Sequence, residues 1–342
     1  MAITQISISE SDLGLALSTI VLKNSYPNQS TPVNDISRGQ TGVVNADYIG
    51  DASANLLTVG VPRFKRIKGA SNAFVNFLGK EAVTMQNNTL ALNLDRQYLQ
   101  IVQIPAAQEG KIAYSIVQNA AFQIANDLTL SMDTDTILEM YNKNLEFGAT
   151  LETPFSNVIK TSGTSLADAE ASTMLNTAFE QMSNLPEEAF DYDVSTPLNG
   201  RAIVAKQKFI TNLRKSGIAI VGSEFAYKTF VSGVESYGVP YGLQSEDVIN
   251  RNYMGSYNGF TTFLAIDLLF PTPYAGEVLA IATHPMATTR ATTPPITKYL
   301  DTLGVVGKQY QYQVFYGILC ARPWMVQLLV TSDFEPEETP SA

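Results

Sequence analysis

The chain has 342 residues, of which 45% are hydrophobic and 16% charged, which supplies a substantial core and excludes a mostly disordered polymer. A net charge of −10 argues against a protein that clings to nucleic acid as a whole. One cysteine excludes an intramolecular disulfide framework or a cysteine-rich zinc site, and one histidine excludes any scheme needing two imidazoles.

Residues 1–55 are polar and irregular, carrying Pro27, Pro32, Gly39, Gly42 and Gly50 and one short apolar patch at 13–22. The opening MAITQISISESD lacks the basic and apolar regions of a secretory signal. A soluble chain made in a reducing compartment is expected, with an N-terminal arm that cannot bury itself and lies across neighbouring chains. From residue 56 the pattern changes. Leu57, Val59 and Val61 alternate with Thr58, Gly60 and Pro62, and the bases Arg63, Lys65, Arg66 and Lys68 follow. After a polar tip, period two returns at Leu90, Leu92 and Leu94 and runs on through Leu99, Val102 and Ile104. One long hairpin over 56–105 is predicted. Isolated two-stranded hairpins are marginal in water, so it should protrude and rest on a neighbouring subunit.

Residues 118–144 contain neither Gly nor Pro, and Ile124, Leu128, Ile137, Leu138 and Tyr141 recur at helical spacing. The predicted helix would span roughly 40 Å, with Gly148 as its stop. A second helix is expected over 168–182, ahead of Pro186. A short buried strand follows Gly200, and a helix over 209–216 is closed by Gly217. Apolar strands are expected at 259–267 and 278–283. The last strand, 310–320, puts Tyr310, Tyr312, Val314 and Tyr316 on one face, with 324–331 as its partner. Asp333, Glu335, Glu337 and Glu338 form an acidic tail. No run of about 18 apolar residues is present, so no membrane span is expected.

Phosphate-loop, dinucleotide, nucleophile-elbow and zinc-protease motifs are absent. The string 255–260 has the wrong glycine spacing and precedes a strand, where no helix N-terminus could cradle a phosphate. His284 closes an apolar strand and reads as a hydrogen-bonded residue; Cys320 reads as a small hydrophobe. Asp133 and Asp135 lie two apart on a helix and point to different faces. Asp191 and Asp193 could touch a cation but lack the rest of a calcium loop. The basic cluster Arg63, Lys65, Arg66 and Lys68 is either a solvated strand edge or a patch that pairs with acidic surface on the next subunit. Arg201, directly before an apolar strand, needs a carboxylate or carbonyl partner. These five bases are the candidate inter-subunit contacts. No catalytic, cofactor-binding or metal-ligating set emerges, and no enzyme is expected.

The order of these segments resembles the major capsid proteins of tailed bacteriophages. Their Hong Kong phage-type fold is shared with encapsulins. "LLTVGVPRF" with "LALNLDRQYLQIVQI" resembles the two strands of the family's extended loop. "IVQNAAFQIANDLTLSMDTDTILEMY" is similar to its spine helix. "STPLNGRAIVAKQKFITNLRKS" is the strongest stretch, with Pro197, Gly200, Arg201, Ile203, Val204 and Leu213 at the matching positions. "MGSYNGFTTFLAIDLL" and "VLAIATHPMAT" resemble axial-domain strands, and "VFYGILCARPWMVQLLV" the closing peripheral strands.

The resemblance implies an α+β fold divided into an arm at 1–55, an extended loop at 56–105, a peripheral domain at 106–200 and 291–342 with a spine helix at about 115–147, and an axial domain at 201–290. It implies a structural coat protein, without cofactor, that assembles with itself as hexamers and pentamers of an icosahedral shell around double-stranded DNA. The alternative is an encapsulin-like compartment. The implied partners are portal and scaffolding or decoration proteins, with packaged DNA touched only weakly and non-specifically, and no membrane. The implied location is the virion capsid, after synthesis in the host cytoplasm. A large fused scaffolding segment is not expected. Lys65, Lys68 and Lys80 lie in the extended loop, but no motif marks a partner for a lysine–asparagine cross-link. Residues 187–194 match no feature of the family.

Overall fold

Strands without polar alternation need apolar cover on both faces, and that requirement organises the structure. The computed structural model describes residues 33–34, 43–49, 58–66, 87–105, 113–151, 157–215, 253–265, 277–293, 296–300 and 307–335. The first strands are β1 (Val33–Asn34), β2 (Val44–Ile49), β3 (Thr58–Phe64), β4 (Asn87–Asn93) and β5 (Arg96–Pro105). Helix α1 (Ala113–Ala149), β6 (Val158–Lys160), α2 (Glu170–Ser183), β7 (Ala202–Lys206) and α3 (Gln207–Lys215) follow. Then come β8 (Tyr253–Tyr257), β9 (Phe260–Ala265), β10 (Val278–Thr283), β11 (Thr288–Thr292), β12 (Ile296–Leu300), β13 (Gly307–Cys320) and β14 (Gln327–Val330).

One sheet has the order β6-β14-β10-β7-β9-β8. Its strands β7, β10 and β14 are buried along their whole length. Val204, Val278, Leu328 and Val330 join the cluster of Ile137, Met140 and Tyr141 from α1. Ile203, Ala205, Leu279 and Leu329 join Met174, Leu175 and Ala178 of α2 and Phe209, Ile210 and Leu213 of α3. Helices thus cover both faces. Asn258 and Gly259, at φ 45° and 80°, make the tight turn between β8 and β9. Both central residues at positive φ is what a hairpin turn matching strand twist requires.

The second sheet has the order β1-β2-β11-β13-β12, with β5 also paired to β13. Its long strand β13 holds β5 antiparallel over Gly307–Tyr316 and β11 antiparallel over Ile318 and its neighbours. The hairpin β3–β4 is a separate two-stranded sheet. Helix α1 has 37 residues, about 55 Å, and so reaches both large sheets.

Several expectations are corrected. The long hairpin over 56–105 breaks at residues 94–95: β3 and β4 pair with each other, whereas β5 leaves to pair with β13. The described part of the hairpin has an intrachain packing face as well. Val59, Val61, Leu92 and Leu94 bury against Ala291 and Leu319, because period two gives the hairpin one apolar face. Strand β14 does not pair with β13. A short 3-10 turn at Pro323–Met325 redirects the chain, and β14 pairs with β10 and β6. Residues 43–49, read as arm, include Val43 and Val44, both fully buried, and β2 pairs in parallel with β11. Strands on both sides of the 200/201 boundary share one sheet. Strands β2, β6, β8, β11 and β12 carry no clear alternation in the sequence, and pairing alone defines them. Helices α2 and α3 begin two residues from their expected starts. Apart from β1, the rest of the arm, the hairpin tip with Lys68 and Lys80, and Gly217 lie outside the described residues.

Candidate functional site

The basic cluster at the far end of β3 meets residues 187–193. The chain turns through a short 3-10 segment at Glu187–Ala189, whose Ala189 is buried, and presents Asp191, Tyr192 and Asp193. The Arg63 guanidinium carbon lies 3.9 Å from the centre of the Tyr192 ring and 5.6 Å from that of Trp324. Tyr192 and Trp324 are stacked, 5.8 Å apart with 20° between ring planes. Arg63 also donates Nη1–H to the carbonyl of Ala321 at 3.0 Å. Asp193 is fixed by two donors, Arg322 Nε and Trp324 Nε1, each 3.1 Å away. The Arg66 backbone N–H donates to the Asp191 carbonyl at 2.8 Å, and Lys65 Nζ lies 3.7 Å from the Asp191 carboxylate. The Tyr192 hydroxyl meets the Asn88 side chain on β4. That hydrogen bond, with Arg63 and Lys65 nearby, holds the phenol below its ordinary value against the opposing effect of burial.

The Arg63 and Lys65 side chains and the Arg66 backbone N–H therefore have partners within their own chain. The partners are an aromatic–acidic loop, whose Asp-Tyr-Asp run was the signal available in sequence. Tyr192 was missed because an aromatic in a loop has no period to reveal it, and Trp324 because it reads as the first residue of a strand where the chain instead makes a 3-10 turn.

Arg201 is likewise internal. It is 1% exposed. Nε donates to Pro197 O at 3.2 Å, Nη1 to Phe179 O at 3.1 Å, and Nη2 to Thr196 O at 2.8 Å and Ser183 Oγ at 3.1 Å. The guanidinium also covers the Phe179 ring at 4.5 Å. Desolvation lowers its proton affinity. Gly200, at φ 92°, makes the turn that brings it in, a conformation favoured for glycine. Arg201 joins α2 to β7 and is not a surface contact.

His284 is buried, with Nε2 2.9 Å from the Asn199 carbonyl and Nδ1 accepting from the Met286 backbone N–H at 3.1 Å. Cys320 is a free, buried thiol, pushed up to about 12 by desolvation. Asp133 and Asp135 diverge as expected, but onto one sheet. Asp133 pairs with Arg290 of β11 at 3.4 Å, both fully buried. Asp135 pairs with Arg96 of β5 at 2.7 Å and accepts from the Tyr316 hydroxyl at 2.6 Å. These side chains dock α1 on the second sheet. Asp191 and Asp193 face Lys65 and Arg322, and among the described residues no group of three or more His, Cys, Asp or Glu side chains could hold a metal. Among the described residues no helix is long and apolar enough to cross a membrane.

Several large apolar side chains stay exposed: Phe64 on β3, Leu99 and Ile101 on β5, and Val194 and Leu198 beyond the loop. Cross-strand register puts Leu99 beside Gln313 and Ile101 beside Gln311. The outer face of β5 and β13 is thus apolar side chains set among glutamines.

No family model matches the chain, and no curated protein does. Solved structures do. The capsid of Ralstonia phage GP4 matches with a TM-score of 0.58 at 12% identity, over 91% of this chain and 92% of that one. The mature capsid of bacteriophage PhiM1 matches with a TM-score of 0.51 at 13% identity, over 88% of each chain. The capsid of cyanophage P-SCSP1u matches with a TM-score of 0.50 at 14% identity, over 86% of this chain and 90% of that one. At such identities the likeness is one of fold. From the arm-side strands to the closing sheet, the chain carries the fold of tailed-bacteriophage capsid proteins.

Proposed function

We propose that this chain is a major capsid protein that assembles as hexamers and pentamers of an icosahedral shell enclosing double-stranded DNA. The observation that carries the reading is the near end-to-end match in fold to phage capsid chains, in which almost nothing of either chain is left over for another activity. The exposed Leu99, Ile101 and Phe64 support it, since apolar side chains held out on strand faces gain free energy when a second copy covers them. Electrostatics supports a weakly held genome. Phosphate affinity grows with each neutralising base, and here Arg63, Lys65, Arg96, Arg290 and Arg322 already have acidic, aromatic or carbonyl partners. Portal and scaffolding or decoration proteins are the further partners of this reading, and the virion capsid is its location.

The test is to express the full chain and examine it by sedimentation and negative-stain imaging. Closed shells of uniform diameter are expected, carrying tail structures and DNA when recovered from a complete particle. A chain that stays monomeric at every concentration and salt condition would overturn the shell. Shells holding enzyme cargo and no DNA would overturn the genome half.

A further inference from the structure

The segment that the capsid resemblance leaves without a counterpart, 187–194, is the one that grips the hairpin. The hairpin lies against its own subunit at two places. Near its root, the Asn93 carbonyl sits so close to Gly317 that a Cβ there would lie 2.0 Å from the oxygen. Five residues farther along, about 17 Å of strand, Arg63 and Asn88 reach Tyr192, and the Arg66 backbone N–H bonds the Asp191 carbonyl. The second grip holds both strands at once, Arg63 and Arg66 on the β3 side and Asn88 on the β4 side. It is anchored in turn: Asp193 ties the loop to Arg322 and Trp324, and Trp324 packs on Phe147 of α1 at 5.9 Å. A chain of contacts therefore runs from the spine helix through Trp324 and Tyr192 to the hairpin.

We propose that residues 187–193 are a clamp that fixes the hairpin on the body of its own subunit before subunits meet, so that copies associate without then bearing the cost of ordering it. This rests on the shell reading for its second half only. The physical argument is pre-organisation. A two-stranded hairpin is marginal alone, and a flexible one would lose its conformational freedom at the moment of association, weakening every contact made through it. A cation over an aromatic face, partly desolvated and backed by a stacked indole, is strong enough to hold it, whereas the exposed Lys65–Asp191 pair adds little. Tyr192 packs on the margin of the core cluster that includes Trp324, whereas Arg63 reaches it from the hairpin side and is the variant that spares the core.

The experiment is hydrogen–deuterium exchange on unassembled subunits, with particle yield measured alongside. The variants are Tyr192→Leu, Tyr192→Phe and Arg63→Met. Tyr192→Leu and Arg63→Met should each speed exchange in 58–64 and 87–93 by about tenfold, leave β10 and β14 unchanged, and cut particle yield several-fold. Tyr192→Phe keeps the ring face and should stay near wild type in both readouts. Arg63→Met approaches from the hairpin side, so a folding failure of Tyr192→Leu leaves the test intact. Unchanged exchange in the hairpin with Arg63→Met overturns the clamp. Faster exchange with undiminished particle yield overturns its role in association. If wild type itself forms no particles, the shell reading fails, and the exchange contrast decides the clamp alone.

Discussion

Arg201 shows how an internal cation is tolerated without a carboxylate at hydrogen-bonding distance among its contacts. Three carbonyls and a hydroxyl take its protons, and the Phe179 ring covers its face. Truncation would leave the carbonyls of Pro197 and Thr196 short of a donor, at a cost of about 1–3 kcal/mol. Arg201→Ala should therefore lower the urea midpoint of the subunit clearly, and an unshifted midpoint would contradict this account. His284 gives a pH dependence with a definite sign. Its hydrogen bonds fit the neutral ring protonated on Nε2, and burial first, then Arg201 and Arg322, lowers its pKa from the ordinary 6.5, opposed by the Asn199 hydrogen bond and by Asp193. The folded state thus prefers the neutral ring more than the unfolded chain does. The stability it contributes is full above about pH 6.5 and is lost as pH falls through the folded value. With one histidine in the chain, a single imidazole resonance reports this directly. It should titrate below 6.5; a midpoint at or above that value would reverse the sign.

The elements are joined by a few contacts that no single element could foretell. Helix α1 docks on one sheet through aspartates and on the other through Ile137, Met140 and Tyr141. Gly317 is where β4 leaves the hairpin and crosses β13. A methyl group there would meet backbone at 2.0 and 2.8 Å, and backbone held by two strands cannot yield as a side-chain tip can. Gly317→Ala should cost about 1–3 kcal/mol, as overpacking does. It should also loosen β4 more than β10. Thermal unfolding together with exchange at 87–93 measures both, and a variant as stable as wild type would show that the close approach is not maintained in solution.

At the scale of the whole molecule, the net charge of −10 opposes tight binding of nucleic acid. Ten more acidic than basic residues repel phosphate at long range, and short-range binding at Arg63, Lys65, Arg96, Arg290 or Arg322 would have to displace them from their partners. Unassembled subunits should give no shift of double-stranded DNA in a gel at about 0.15 M salt, where the screening length is roughly 8 Å. A salt-sensitive shift that Lys65→Glu with Lys68→Glu abolishes would mean that the cluster reads phosphate instead of carboxylate.

What the residues determined alone is what rests on local periodicity. Helix α1 is legible because a long stretch without Gly or Pro repeats its apolar positions at helical spacing, and β7 and β10 because short runs without a polar residue demand cover on both faces. The need of Arg201 for a partner was legible as well, since a guanidinium beside Ala-Ile-Val-Ala cannot be buried unpaired. Which partner each strand took was not. Sequential strands usually pair, so β13 and β14 look like a hairpin, but the turn at Pro323 sends β14 to the other sheet. The period-two run through 90–104 gives no sign that β5 abandons β4, because either pairing satisfies the same alternation. The clamp was decided by tertiary structure alone. Arg63, Tyr192 and Trp324 are distant in sequence, and a stack of three such side chains exists only once two sheets and a helix have brought their ends together.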